Sequence, residues 1–509
     1  MRRTPADRRA QAVPAHAWLA LCLMPHALRD KPLGVLSAAQ LDALVRGAQA
    51  RYAHACLEVV LFHTAGAGGS AGAGGAGLGG GDSAAKRKRD ELSASGGGAD
   101  RDDGAGPSKP PSGPGSGGGG ASEGPSGYFV IVGEAPEVRY CSCQALMDAL
   151  TAPQYKAGAM VLLYGVMKGC LTLHVAVRLR GEFLLGRRAV LLGEEQEEGA
   201  AEPRHTLDVR ASNCSASELQ INTPVAVMGL QQVGAVFVAN GVSQFAMDDV
   251  YFAGDASKAV LKEGVNFGHS GVWMDERSSA RFKQLRMVDL SGTGVELRYA
   301  ASAQLDDVLI ANVRGNGVWL DAVKACTLDE VHTTECRANG FYVDTLDVCT
   351  LRKCSARDSG EAALVVDLPL HALDKHADAA ITPEVLRNGC KAHGFSALRS
   401  GTYGVLLCRG AGVDLTGARL EDNDFNAVRT EFSERLPTGA AARTTLVGAK
   451  LLRNGLSGES DKAQAEHAAV AVERDRVTKR IYAAGMPDYV GAEIVGNGHD
   501  GISFVDADV

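Results

Sequence analysis

Three aromatic residues in the centre of the chain recur at multiples of 23 residues, and an aspartate follows each of them two positions later. The six residues are Trp273 with Asp275, Trp319 with Asp321, and Tyr342 with Asp344. An aromatic side chain flanked by hydrogen-bonding carboxylates suits a sugar ring, a peptide or a partner protein. We therefore take these residues as the candidate binding site.

The spacing reflects a repeat that runs through the middle of the sequence. The same 23-residue interval separates Gly271, Gly294, Gly317 and Gly340, each of which precedes a short alternating strand. It also separates the apolar residues Phe282, Leu305, Leu328 and Leu351. A repeat of this length built from strands and turns is typical of a β-solenoid, in which each repeat forms one coil. We therefore predict an all-β solenoid with about twelve coils.

Alternation along each strand assigns its residues to an inner and an outer face. In the first of these strands Val272 and Met274 point inward, so Trp273 points outward. Equivalent residues stack at about 4.8 Å per coil. The two resulting outward columns are Trp273, Glu296, Trp319, Tyr342 and Val365, and Asp275, Arg298, Asp321, Asp344 and Asp367. We expect both columns to face solvent; the alternative is that an inserted loop or the N-terminal helix covers them as ordinary packing.

The chain divides into three zones. Residues 1–63 have the apolar spacing of a small helical segment. Residues 64–127 are rich in Gly, Ala, Ser and Pro, and we predict a disordered linker because this composition cannot bury enough apolar surface to fold. The basic run from Lys86 to Arg89 is a candidate nuclear import signal, so we expect a cytoplasmic or nuclear protein. Residues 128–509 hold the solenoid, which begins with a short amphipathic helix over residues 144–150.

Composition narrows the function classes. The net charge of −8 argues against a nucleic-acid-binding protein, and no stretch is long enough to span a bilayer. The 12 cysteines lack the spacing of a disulfide framework or a zinc site, so we expect buried thiols in a reducing compartment. We predict no cofactor and no metal; a calcium site is an alternative at Asp306, Asp307, Asp329 and Glu330.

The repeat resembles the right-handed parallel β-helix of the pectin-lyase-like superfamily across residues 128–509. The resemblance rests on the run from Tyr164 to Leu173 and the strand that begins at Val177, where a tyrosine, a glycine, a strand and a second glycine lead into the stack. The layout is similar to that of non-enzymatic eukaryotic members, such as F-box β-helix proteins and Shc-binding proteins, although residues 1–63 contain no F-box. The resemblance implies a non-catalytic binding or scaffold module for a protein partner or a glycan.

The alternative is a carbohydrate-active enzyme, a hydrolase or a lyase, that acts on an acidic polysaccharide. Asp248, Asp249, His269 and Lys283 occur in an order similar to that of polygalacturonase-type hydrolases, whose aspartates protonate the leaving oxygen and activate water. The further Asn-Thr-Asp run of those enzymes is absent, and Ser270 follows the histidine where they have glycine. Asp248 and Asp249 also occupy a position that recurs in later coils. These departures favour the non-catalytic interpretation.

Overall fold

The computed structural model describes residues 127–506 with gaps. The gaps are residues 136–137, 185, 195–203, 223–232, 255–268, 370–388, 410, 432–443, 456–468, 475–489 and 498–501. The predicted N-terminal helical segment, the linker up to residue 126 and the basic run from Lys86 to Arg89 all lie outside the described residues.

The chain forms a parallel β-helix, and each coil passes in turn through three sheets. Sheet I contains β2 (Ala159–Tyr164), β5 (Val177–Glu182), β8 (Ser215–Ser217), β11 (Phe245–Asp248), β14 (Ser279–Lys283), the first parts of β17 (Ser302–Val313) and β19 (Cys326–Cys336), β21 (Cys349–Arg352), β24 (Cys390–His393) and β27 (Val413–Asp414). Sheet II contains β3 (Val166–Lys168), β6 (Ala189–Leu192), β9 (Leu219–Asn222), β12 (Tyr251–Ala253), β15 (Arg286–Val288), the second parts of β17 and β19, β22 (Ser355–Arg357), β25 (Ser396–Leu398), β28 (Arg419–Glu421), β30 (Lys450–Leu452) and β32 (Glu493–Val495).

Sheet III completes each coil and carries the candidate binding residues. It contains β4 (Leu171–Leu173), β7 (Leu207–Val209), β10 (Val233–Val238), β13 (His269–Met274), β16 (Val295–Arg298), β18 (Val318–Val323), β20 (Phe341–Thr345), β23 (Leu364–Asp367), β26 (Val405–Leu407), β29 (Val428–Thr430), β31 (Val470–Arg474) and β33 (Ile502–Asp506). These 12 strands pair in parallel, one from each coil, in the order of the sequence. The predicted all-β solenoid and its number of coils are confirmed.

A short N-terminal region covers the first coil. Strand β1 (Tyr128–Ile131) pairs antiparallel with β2. Helix α1 (Cys143–Leu150) follows and is capped by Ser142, whose Oγ accepts a hydrogen bond from the backbone N–H of Ala145 at 3.1 Å. A 3-10 turn (Pro153–Tyr155) connects it to β2. The predicted helix at the start of the stack is therefore confirmed. It packs on the β-helix, since its residue Leu146 is fully buried in the core.

The glycine column marks the closest contact between consecutive coils. A Cβ atom added to Gly294 would lie 2.6 Å from the carbonyl oxygen of Gly317, and a Cβ on Gly317 would lie 2.6 Å from that of Gly340. These distances are well inside van der Waals contact. The 23-residue glycine spacing is therefore a consequence of backbone packing against the next coil, which leaves no room for a side chain.

The corner between sheets I and II is made by a residue with left-handed backbone geometry. In five consecutive coils φ at this corner is 51–53°, at Asp249, Gln284, Asp307, Glu330 and Lys353. A residue other than glycine in this conformation costs about 1–2 kcal/mol, so the stacked coils must impose it. The predicted repeat position of Asp249 is thus confirmed as a corner of the coil.

The interior forms one continuous apolar core. Leu328 is fully buried and pairs in register with Leu305 in the coil before it and Leu351 in the coil after it. Cys326 and Cys349 stack in the same way, and both are buried free thiols. The predicted inward positions and the interpretation of these cysteines as small apolar residues are confirmed.

Buried asparagines form a ladder at the corner between sheets II and III near the C-terminal end. The Oδ1 atom of Asn454 accepts hydrogen bonds from the backbone N–H of Asn423 at 3.2 Å and from its side-chain amide at 2.7 Å. Asn497 accepts the equivalent pair from Asn454 at 2.9 and 3.0 Å. An amide side chain both donates and accepts, so this ladder satisfies the polar atoms of corners that are closed to water.

Candidate functional site

The outer face of sheet III carries a column of side chains that stack in register along the β-helix. The strand pairings align Asp208, Phe237, Trp273, Glu296, Trp319, Tyr342, Val365 and Leu406 in consecutive coils. The expected column is therefore present, and it is longer than the repeat indicated. Phe237 was missed because residues 255–268 lengthen the interval between its coil and the next, which breaks the 23-residue spacing.

A cation separates the two tryptophans of this column. The guanidinium carbon of Arg298 lies 5.6 Å from the ring centroid of Trp273 and 5.4 Å from that of Trp319, distances at which a cation and an aromatic face attract each other. Glu296 orients the arginine, since its Oε1 accepts a hydrogen bond from Nε of Arg298 at 2.7 Å. The hydroxyl of Ser270 donates to the other oxygen of Glu296 at 3.0 Å.

Further aromatic contacts continue the stack in both directions. Phe237 lies 5.0 Å from Trp273 between ring centroids, and the ring of His205 stacks on Phe237 at 4.5 Å. At the other end Trp319 and Tyr342 meet edge to face at 6.2 Å. Such pairs contribute about 0.5–1.5 kcal/mol beyond the burial of their area. The column is therefore a rigid feature of the face.

The expectation that both outward columns face solvent is wrong for four of their residues. Glu296 is 0% exposed, Asp344 1%, Val365 3% and Asp367 6%, whereas the three aromatic residues are half-buried. The carboxylates are covered in part by their own partners, because Arg298 lies against Glu296 and other groups bond to Asp367. The outer face of sheet III thus consists of half-buried aromatic rings beside the buried carboxyl groups of Glu296, Asp344 and Asp367.

Three of these carboxyl groups belong to consecutive strands. Asp344 and Asp367 are directly paired in register. Asp321 precedes them by one coil, where a bulge inserts Ala322 between the paired positions of β18 and β20. Asp367 is held by Arg409, whose Nε donates to Oδ1 at 2.6 Å and whose Nη2 donates to Oδ2. We define Asp321, Asp344, Asp367, Tyr342 and Arg409 as the acidic cluster.

The middle carboxyl of the acidic cluster is protonated at neutral pH. Burial raises the pKa of Asp344 to about 8, and the negative charges of Asp367 and Asp321 add to the rise while Arg409 opposes it. Tyr342 donates its hydroxyl proton to Asp367 at 2.8 Å, and burial followed by the charge of Asp367 raises its pKa. The cluster therefore offers a proton donor between two carboxylates, a combination suited to general acid and base catalysis.

The residues suggested by the polygalacturonase-like order do not form a single cluster. Asp248 and Lys283 are neighbours in register on sheet I. Asp249 occupies the corner after β11, where both terminal nitrogens of Arg188 bond to its carboxylate, at 3.0 and 3.1 Å to Oδ1. His269 begins β13 on sheet III. Two different sheets therefore carry these residues.

Two arginines on sheet III make contacts that the sequence did not indicate. Arg298 was placed in the correct column, but its contact with both tryptophans depends on the three-dimensional direction of its side chain. Arg409 was missed altogether, because it follows Asp367 by 42 residues and the insertion at 370–388 conceals the repeat.

The alternative calcium site has no support in the described part of the chain. No group of three or more His, Cys, Asp or Glu side chains there is arranged to hold a metal ion. Two of its proposed ligands are in ion pairs: Asp307 with Arg286 at 2.8 Å and Glu330 with Lys353 at 3.0 Å. Among the described helices, none has the length and apolar character needed to cross a membrane.

Comparison with known proteins finds similarity at the level of solved structures. No protein-family model and no curated protein matches the sequence. The A-module of mannuronan C-5 epimerase AlgE6 from Azotobacter vinelandii is 13% identical, with 71% of this chain and 85% of that chain covered and a TM-score of 0.41. The A-module of AlgE4 from the same organism is 16% identical, with 72% and 90% covered and a TM-score of 0.37. The catalytic unit of a GH87 α-1,3-glucanase from Streptomyces thermodiastaticus is 12% identical, with 71% and 66% covered and a TM-score of 0.44. At these identities and scores the comparisons assign no activity to this chain.

Proposed function

We propose that the outer face of sheet III binds a polysaccharide and that the acidic cluster hydrolyses a glycosidic bond, with Asp344 as the proton donor. The observation that carries this proposal is the position of Asp344, a protonated carboxyl that is paired in register with Asp367 and follows Asp321 by one coil across a bulge. The proposal keeps the alternative of a carbohydrate-active enzyme that the sequence suggested. It places the chemistry on Asp344 and its neighbours in the acidic cluster instead of on Asp248, Asp249, His269 and Lys283. The expected scaffold role remains a hypothesis that none of the described contacts favours.

The roles follow from what glycoside hydrolysis requires. One carboxylic acid must protonate the leaving oxygen while a second carboxylate attacks or activates water. Asp344 supplies the proton; because it is 1% exposed, this step requires the side chains that cover it to move when the substrate binds. Asp367 is held by hydrogen bonds from Arg409 and Tyr342. Its role is to raise the pKa of Asp344 through its negative charge. Asp321 is more exposed than either and is the second carboxylate.

The aromatic column supplies the surface on which the sugar lies. Trp319 and Tyr342 belong to the same strands as Asp321 and Asp344, and both rings are half-buried. A sugar ring that packs against them places its glycosidic oxygen next to the acidic cluster. Because the contact of Arg298 with Trp319 and the edge-to-face pair hold the rings in place, little ordering entropy is lost when a ligand binds.

A purely structural role for Asp344 is disfavoured by its energetics. A carboxyl whose pKa is raised this far by burial and like charges destabilises the folded state at neutral and alkaline pH. Asparagine would fill the same space without that cost. Strongly perturbed carboxyl groups of this kind are typical of functional sites.

The test is turnover of soluble polysaccharides by the full chain, measured as new reducing ends across pH 5–9. We expect activity that declines as the pH rises through about 8, where Asp344 loses its proton. Asp344→Asn should abolish turnover and retain binding. The matched control is Asp306→Asn, which removes a carboxylate stacked on Asp329 of the next coil but on sheet I. Equal activity of wild type and Asp344→Asn would contradict the proposed role, and binding without any turnover would reduce the proposal to a binding module.

A further inference from the structure

We propose that the sheet III face selects glycans that carry no negative charge, namely neutral or amino-sugar polymers, and discriminates against polyuronates and sulfated chains. The inference rests on the proposed function, because it names the substrate class of the same face. It differs from the acidic polysaccharide that the polygalacturonase-like residue order implies. The argument depends on where the cations of this face lie and which groups they bond to.

The two arginines that lie against the column between β13 and β23 are each bonded to a buried carboxylate of the protein. Arg298 bonds to the fully buried Glu296, with Nε to Oε1 at 2.7 Å. Arg409 bonds through two nitrogens to Asp367, which is 6% exposed. A guanidinium that neutralises a buried carboxylate is held in place by the cost of leaving that charge unpaired. These two arginines are therefore poor partners for the carboxylate of a sugar.

The same arrangement recurs where the column begins. Arg210 donates to Asp208 through Nε at 2.9 Å, and Asp208 is 8% exposed. Arg210 lies two positions after Asp208, directly past the end of β7, as Arg298 lies two positions after Glu296 at the end of β16. Three arginines of this face, in three separate coils, are thus bonded to buried carboxylates of the β-helix.

Carboxyl groups outnumber the cations that face them. Over the described residues of the two outward columns between β13 and β23, the carboxyl groups are Asp275, Glu296, Asp321, Asp344 and Asp367. The guanidinium groups bonded to these carboxylates are those of Arg298 and Arg409. With Asp344 protonated, four negative groups face two positive ones. A polyanion that approaches this surface meets net repulsion, which salt screens at longer range.

Two further side chains respond to the same negative field. The pKa of Tyr299 is raised by burial and then by the charges of Asp321, Asp344 and Glu276, which together outweigh Arg298. The pKa of Cys408 is raised by burial, Glu431 and Asp367 against the opposing effect of Arg409. These groups and Asp344 lie in different coils, and in each of them the charge of a nearby carboxylate adds to the effect of burial.

The experiment compares polymers that share a backbone and differ only in charge. The probes are several soluble neutral glucans and galactans, the carboxymethylated derivative of each, and glucosamine oligomers, with affinity measured on the full chain at low and moderate salt. Carboxymethylation should weaken binding about five- to tenfold at low salt, and added salt should narrow the difference. At low salt, Asp321→Asn should reduce the difference in affinity between the neutral and the carboxymethylated polymers. The control Asp329→Asn on sheet I should leave that difference unchanged.

The outcomes separate this inference from the function on which it rests. Tighter binding of the carboxymethylated polymers would overturn the charge selection and leave the polysaccharide function intact. Binding of none of the polymers would overturn both. Preference for glucosamine oligomers over neutral chains, reversed by salt, would identify amino-sugar polymers as the ligand, and equal binding of the two would identify neutral chains.

Discussion

Replacing Asp344 by asparagine should stabilise the protein at alkaline pH while it removes the proton donor. The carboxyl is 1% exposed, and burial with the nearby charges of Asp367 and Asp321 raises its pKa from 3.8 to about 8. Between these two pH values the folded state keeps a proton that the unfolded chain has released. Unfolding therefore becomes easier as the pH rises, and the loss ends once the pH exceeds the folded pKa.

The magnitude follows from the size of the shift. Each pKa unit corresponds to about 1.36 kcal/mol, so a shift from 3.8 to about 8 amounts to about 6 kcal/mol once the pH is above 8. Asparagine is neutral at every pH and resembles the protonated acid in shape. Asp344→Asn should therefore match the wild type near pH 4 and exceed its free energy of unfolding by an amount that grows toward pH 8.

The assay is thermal melting of both proteins at pH 4.5, 6, 7 and 8.5, followed by far-ultraviolet circular dichroism. The expected result is a difference in Tm that is near zero at the lowest pH and several degrees at the highest. Asp306→Asn provides the control for loss of an outward carboxylate in a stacked column of sheet I. Parallel pH profiles for the wild type and Asp344→Asn would refute the reasoning, because they would mean that Asp344 titrates alike in the folded and unfolded chain.

Three other substitutions test the face and the core. Trp319→Ala should leave Tm within a few degrees of the wild type, since the ring is half-buried, and should weaken retention on a glycan matrix; a large loss of stability would mean that the column is structural packing. Leu328→Asp should unfold the central coils, as seen by circular dichroism, because it buries an unpaired carboxylate at a 0% exposed position; a stable, soluble variant would contradict the inward assignment. Gly317→Ala should lower the free energy of unfolding by about 1–3 kcal/mol or more, since its Cβ would lie 2.6 Å from the carbonyl oxygen of Gly340; an unchanged denaturant midpoint would show that the coils can move apart.

The periodic part of the chain was predictable because its repeat length is constant. Two columns in phase assigned the inner and outer faces, and the fully buried Leu328 and the outward Trp319 follow that assignment. The stacking of Cys326 on Cys349 followed from their separation of one repeat. In this region residues that are 23 positions apart in the sequence are neighbours in the stack, so one repeat length predicts many contacts.

The parts that were missed depend on interrupted spacing or on side-chain direction. Insertions separate Phe237 and Arg409 from the regular repeat, although both lie beside residues of the candidate site. The burial of Glu296 could not be foreseen from alternation, because alternation separates inward from outward but does not reveal which outward groups their partners cover. The raised pKa of Asp344 likewise depends on its burial and then on the charges of Asp367 and Asp321 in the neighbouring coils, and the sequence shows neither directly.

Glycan binding by the full chain is the measurement that tests the central claim most directly. The wild type, Trp319→Ala and Phe183→Ala would be compared on one array of neutral, acidic and amino-sugar glycans; Phe183 is 55% exposed and lies outside sheet III, so its variant controls for loss of any surface aromatic residue. The account predicts binding to uncharged or amino-sugar glycans by the wild type and Phe183→Ala, and loss of that binding in Trp319→Ala. Binding that survives in Trp319→Ala, or the absence of binding by the wild type, would contradict it.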